Sequence, residues 1–122
     1  MGTASVPIGA YTRKLLARMR LSSILTRHIV SNEPNVTSIT SKVALGSADA
    51  GFAYTTDARA AGDRVRQIRL PTWAQPPVRY QICAVRREGA DTAGAQAFIN
   101  KVRGSFGRRV LKRNDFGLPP RG

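Results

Sequence analysis

Residues 48–58 read Ala48-Asp49-Ala50-Gly51-Phe52-Ala53-Tyr54-Thr55-Thr56-Asp57-Ala58. Residues 51–54 are small or apolar, carry no charge and end in a tyrosine, which predicts a short buried strand. Thr55-Thr56-Asp57 then predicts a polar turn. Upstream, Asn35 is a good N-cap residue just after Pro34, so a helix is expected to open there, with Val36, Ile39 and Val43 as one apolar stripe and Gly46 closing it. Residues 27–31 predict another short strand. Tyr11, Leu15 and Met19, with Leu16 beside them, predict a helix over residues 10–20. Val6-Pro7-Ile8-Gly9 is its lead-in, where glycine lets the backbone approach something closely.

Downstream, Val65, Arg66, Gln67, Ile68, Arg69 and Leu70 alternate as an outer strand would. Residues 71–77, with Trp73 and the Pro76-Pro77 pair, predict a loop. Residues 78–86 carry the clearest strand pattern, through Tyr80, Ile82, Ala84 and Val85. Two helices are expected after it. One covers residues 91–103, with Ala95, Phe98, Ile99 and Val102 apolar. The other covers residues 105–113, with Phe106, Val110 and Leu111 apolar and Arg108, Arg109, Lys112 and Arg113 outward. Alternating helices and strands predict an α/β layer fold.

The chain has 122 residues, enough for one compact domain with a core. No apolar run is long enough to cross a bilayer. The N-terminal residues lack the charged and apolar regions of a signal peptide. Twenty Lys and Arg face seven Asp and Glu, a net charge of +13. Such a surface attracts oxyanions, nucleic acid and anionic lipid alike, and an arginine-rich composition accounts for it equally well. Cys83 is the single cysteine and His28 the single histidine. That excludes an internal disulfide and a metal site built from His and Cys pairs. Cys83 lies in the apolar run Ile82-Cys83-Ala84-Val85, where a buried, inert thiol is expected. No Ser-His-Asp set or paired catalytic carboxylates appear, so no enzyme is expected.

Two loops feed helix N-termini: Val6-Pro7-Ile8-Gly9 and Pro34-Asn35-Val36. The first N–H groups of a helix lack internal partners and lie at the positive end of its dipole, so two such ends together suit an oxyanion. Tyr54 adds a candidate hydroxyl donor. Most helix N-termini bind only water, so this signal alone is weak.

The ordered set of segments resembles the molybdate-binding proteins of bacterial ABC importers, of the type II periplasmic solute-binding family. Val6-Pro7-Ile8-Gly9-Ala10-Tyr11 resembles that family's VPAGxYA segment. Pro34-Asn35-Val36 falls where it opens a helix with a polar residue and valine. Residues 48–58 resemble its ADAGxVYxTDA stretch. Phe116-Gly117-Leu118-Pro119-Pro120 resembles its YGFxPP ending, with the Phe and Gly order altered.

The resemblance implies one lobe of a type II periplasmic-binding-protein fold. Residues 1–77 would be the second, ligand-binding lobe. Residues 78–122 would be a crossing strand and C-terminal helices that return to the first lobe, leaving their apolar stripes exposed without it. It implies an oxyanion held by the amides of Ile8 and Val36 and the hydroxyl of Tyr54, with Ile8 replacing a usual small residue. The ligand would be molybdate or tungstate bound as an oxyanion, with no cofactor and no metal ligands from the chain. The partner would be an ABC transporter membrane permease, with no nucleic acid, and the location periplasmic. The family's first lobe, whose serine-bearing loops grip the anion's other side, is expected to be absent; Ser5, Ser22 and Ser23 do not stand in matching contexts. Two rival readings remain: a small basic nucleic-acid-binding protein, supported by the charge and the last helix but by no binding signature, and an inactive remnant.

Overall fold

The computed structural model describes residues 1–118. Pro119 and Pro120 of the terminal motif lie outside the described residues. The chain divides into two compact units, Met1–Pro77 and Val78–Gly122.

In the first unit, α1 (Pro7–Arg18) starts with proline in its first turn, where the missing N–H costs nothing. It ends with Arg20 at φ 59°, as Arg20 N–H donates to the Ala17 carbonyl and Leu21 N–H to the Leu16 carbonyl. A single turn, α2 (Ile24–Arg27), follows. Next comes α3 (Val36–Ala44), capped as expected by Asn35, whose Oδ1 accepts from Ser38 N–H at 2.8 Å. Gly46 at φ 72° closes α3, with Ser47 N–H reaching back to the Lys42 carbonyl. α4 (Thr55–Ala61) packs against α3 and stops at Gly62, φ 60°. Leu15, Leu16 and Ala74 form the core, with Met19, Ile24, Leu25, Phe52 and Leu70 packed round them.

In the second unit, α5 (Thr92–Arg103) is capped by Asp91 Oδ1, which accepts from Gly94 N–H at 2.8 Å. Gly104 separates it from α6 (Ser105–Arg113), and the two helices pack together. Gly107 lets them approach: a Cβ there would lie 2.0 Å from the Val102 carbonyl oxygen. Tyr80 and Phe116 meet edge to face at 5.9 Å, and the Lys101 ammonium sits over the Phe106 ring.

The four expected helices form close to their expected places, α2 and α4 form where none is expected, and the expected strands do not form. Among the described residues no strand forms, and the only bridge is a parallel one between Gly2 and Glu33. Strands exist only in pairs, because each leaves a row of backbone donors and acceptors that a neighbour must satisfy. Residues 51–54, 65–70 and 78–86 have no such neighbour among the described residues, so the expected α/β layering is not what the structure displays. Residues 27–31 differ for a local reason: His28 N–H bonds to the Ile24 carbonyl at 3.0 Å, ending a helical turn. Thr55-Thr56-Asp57, expected as a turn, is the first turn of α4. Cys83, expected to be buried, is exposed, as are Tyr80, Ile82 and Val85 around it. A sequence run shows that residues are apolar, but burial needs a covering surface.

Candidate functional site

The parallel bridge carries the site's geometry. Thr3 N–H donates to the Glu33 carbonyl at 2.9 Å, and Glu33 N–H donates to the Met1 carbonyl at 2.7 Å. Two parallel segments run on in the same direction, and a few residues later each enters a helix: α1 after Val6, α3 after Asn35. The two helix starts are therefore delivered from one paired edge.

At α1, Pro7 has no N–H, so Ile8 and Gly9 supply the first amides. Ile8 is buried. Its carbonyl accepts the Thr12 hydroxyl at 2.7 Å. Gly9 is required: a Cβ there would stand 1.8 Å from the Thr3 carbonyl oxygen and 2.5 Å from that of Gly2. The close approach expected at this glycine is thus made by the chain's own lead-in. Arg13 Nη1 fastens the same turn, donating to the carbonyls of Gly9 (3.0 Å) and Gly2 (3.3 Å).

At α3, Asn35 takes Ser38 N–H, and Val36 is the first helical residue, half-buried. Its amide precedes any intrahelical acceptor. Tyr54 is the N-cap residue of α4, also half-buried; its carbonyl accepts from Asp57 and Ala58 N–H. Gly51 brings this segment onto α3, where a Cβ would lie 2.5 Å from Ile39 Cγ2. All three expected residues thus sit at helix starts. Ile8 and Val36 open helices whose lead-ins pair, and Val36 and Tyr54 open helices that pack together. A separate shallow groove between α3 and α4, of about 130 Å³, is lined by Thr37, Thr40, Ser41, Asp57 and Arg64 among others; Ile8, Val36 and Tyr54 are not among its lining residues.

Sequence reasoning passed over an ion cluster beside the bridge. Glu33 is buried; its carboxylate accepts from Lys42 Nζ at 2.5 Å and from the Ser31 hydroxyl. Lys42 Nζ also donates to Ser31 Oγ at 2.6 Å, and the Met1 ammonium donates to the Ser31 carbonyl at 2.7 Å. The Lys42 and Ser31 hydrogen bonds hold the Glu33 carboxyl below the usual carboxylate range. One signal was there to be read: Glu33 is the single acidic residue of the first 48, amid a strongly basic stretch.

The sequence matches the family of bacterial extracellular solute-binding proteins over residues 1–117. It is also similar to the molybdate-binding protein ModA of Mycobacterium tuberculosis and to that of Mycobacterium bovis. Each is 34% identical over 115 residues, covering 94% of this chain and 42% of the relative. The chain therefore spans well under half the length of these relatives. No solved structure matches.

Proposed function

The chain belongs to the bacterial extracellular solute-binding protein family, and from that premise we propose that it serves as the oxyanion-gripping second lobe of a molybdate importer's binding component. Molybdate or tungstate is the ligand, an ABC transporter permease the partner, and the periplasm or an equivalent extracytoplasmic space the place of action. The chain binds and hands over; it carries out no reaction. The amides of Ile8 and Val36 and the Tyr54 hydroxyl are the donors. A tetrahedral dianion offers acceptor lone pairs on every side, so neutral donors at positive helix ends hold it without a charged side chain.

One observation carries this reading: the parallel pairing of Gly2 with Glu33, which starts α1 and α3 from one edge. The mycobacterial relatives, named for molybdate binding, supply the ligand class. In this reading residues 1–77 are the ligand-binding lobe and residues 78–122 a crossing strand with two returning helices. Residues 51–54, 65–70 and 78–86 are strands of an α/β lobe that pair within a polypeptide of the relatives' length. The exposed side chains of Phe98, Phe106 and Val110 are then covered by a first lobe.

The test is a molybdate titration of ¹⁵N-labelled chain followed by NMR. The Ile8 and Val36 amide signals should shift together along one binding curve, and Tyr54→Phe should weaken that curve with the fold intact. Shifts confined to the arginine-bearing surface, or an unaltered curve in Tyr54→Phe, would overturn the assignment.

A further inference from the structure

We infer that Glu33 and Lys42 form a clamp that fixes the lead-in of α3, with which the lead-in of α1 is paired, against the body of α3 and so positions the amide donors of the oxyanion site. This rests on the functional reading above for the identity of the site, while the clamp itself rests on geometry alone. Four hydrogen bonds converge on one residue. The Glu33 backbone is tied on both sides to the segment before α1, through Thr3 N–H and the Met1 carbonyl. The Glu33 side chain is tied to the body of α3 by Lys42 Nζ, and to its own lead-in by the Ser31 hydroxyl. Arg13 completes the circuit on the other side, joining α1 to its lead-in at the Gly2 and Gly9 carbonyls. Sliding one lead-in past the other breaks the two backbone bonds of Glu33 and the bond from the Met1 ammonium to the Ser31 carbonyl.

A bare carboxylate close to a dianion site would repel the ligand. Lys42 cancels that charge, so the clamp gains stiffness without a net negative field. This makes the role separable from simple electrostatics. Glu33→Gln adds one unit of positive charge to the chain, which by Coulomb attraction alone should tighten anion binding. A clamp predicts the reverse.

The experiment compares wild-type chain with Lys42→Met, Glu33→Gln and Lys42→Arg by amide hydrogen exchange and by NMR titration with molybdate. Thr3 and Glu33 amides should lose protection about tenfold in Lys42→Met and Glu33→Gln, the scale of one lost charge-assisted hydrogen bond at a partly exposed pair. Ser38 N–H, held by Asn35, should keep its protection and so report that α3 stays folded. The half-saturating molybdate concentration at the Ile8 and Val36 amides should rise about tenfold in the same two variants. Lys42→Arg keeps charge and donor and should behave as wild type. Unchanged protection at Thr3 and Glu33, or Glu33→Gln binding as tightly as wild type or tighter, would overturn the clamp. A wild-type chain whose Ile8 and Val36 amides ignore molybdate would overturn the functional reading, and the exchange measurement would then decide the clamp by itself.

Discussion

In the unit Met1–Pro77, Leu15, Leu16 and Ala74 are closed off from water, and a buried carboxylate is neutralised by a lysine. In the unit Val78–Gly122 the only buried residue among those described is Gly107. Each unit has one helix capped by a side chain, α3 by Asn35 and α5 by Asp91, and each has helices with an apolar stripe. In the first, the α1 stripe through Leu15 and Leu16 is covered by Ala74, Phe52 and Leu70; in the second, Phe98 is 63% and Phe106 54% exposed. Caps and periodicity suffice to make a helix, but its stability comes from what covers its apolar face. A helix the length of α6, with nine residues, is marginal by itself.

The comparison breaks most visibly under truncation of side chains. Leu16→Ala should cost about 3–5 kcal/mol in urea denaturation, the range for a leucine removed from a closed core. Phe98→Ala should cost less than about 1 kcal/mol, because its ring is already wet. A loss at Phe98 equal to that at Leu16 would show that the second unit buries its stripe after all.

Gly107→Ala probes the close approach of α5 and α6 and should cost about 1–3 kcal/mol, since the added methyl collides with the Val102 carbonyl. Circular dichroism should show lost helix content from α5 and α6. Unchanged helix content would mean that α5 and α6 do not approach closely at Gly107.

Acid sharpens the contrast from the other side. Lys42, with Ser31, holds Glu33 below the usual carboxylate range, so the unfolded chain takes up that proton more readily than the folded one. The stabilisation is present at neutral pH and is lost as pH falls through the usual carboxylate range towards Glu33's lowered value. Glu33→Gln should flatten this acid limb in pH-dependent unfolding; a limb identical to wild type would remove Glu33 from the account. The smallest effect is expected at Arg20, an exposed residue in a left-handed conformation. Arg20→Gly should stabilise the chain by about 0.5–1 kcal/mol in the same urea assay, by relieving the Cβ crowding.

What the sequence made legible was local. Asn35 before Val36 marked α3, and the stripe through Phe98 and Val102 marked α5, because a cap and a 3.6-residue period act within one helix. The alternation over residues 65–70 and 78–86 marks residues suited to a sheet, but a strand also needs a partner, and pairing is not written in either segment. α4 is not legible because its first turn, Thr55-Thr56-Asp57, is polar and suits a turn, and no apolar stripe follows. Of the candidate site, Ile8 and Val36 were legible as residues at loop-to-helix junctions, and Tyr54 only as the end of an expected strand. The Glu33–Lys42 pair was not, because it joins a lead-in to a helix face across nine positions with no periodic pattern. The bland cause of Gly9, its packing against Thr3, was likewise invisible until the bridge was seen.

The most direct test of the central claim is titration calorimetry with molybdate, in near-physiological salt with sulfate as competitor, on this 122-residue chain and on the mycobacterial relative of which it spans 42%. On this account the chain brings donors to one side of the anion only, and the other side stays wet. Each hydrogen bond to a charged group contributes roughly 1.5–3 kcal/mol, so lacking two costs about 3–6 kcal/mol. The chain should therefore bind about a hundred- to ten-thousandfold more weakly than the longer protein. Its arginine-rich surface should attract sulfate as readily, screened over a Debye length of about 8 Å. Binding by the 122-residue chain as tight as the relative's, and undisturbed by sulfate, would contradict the account.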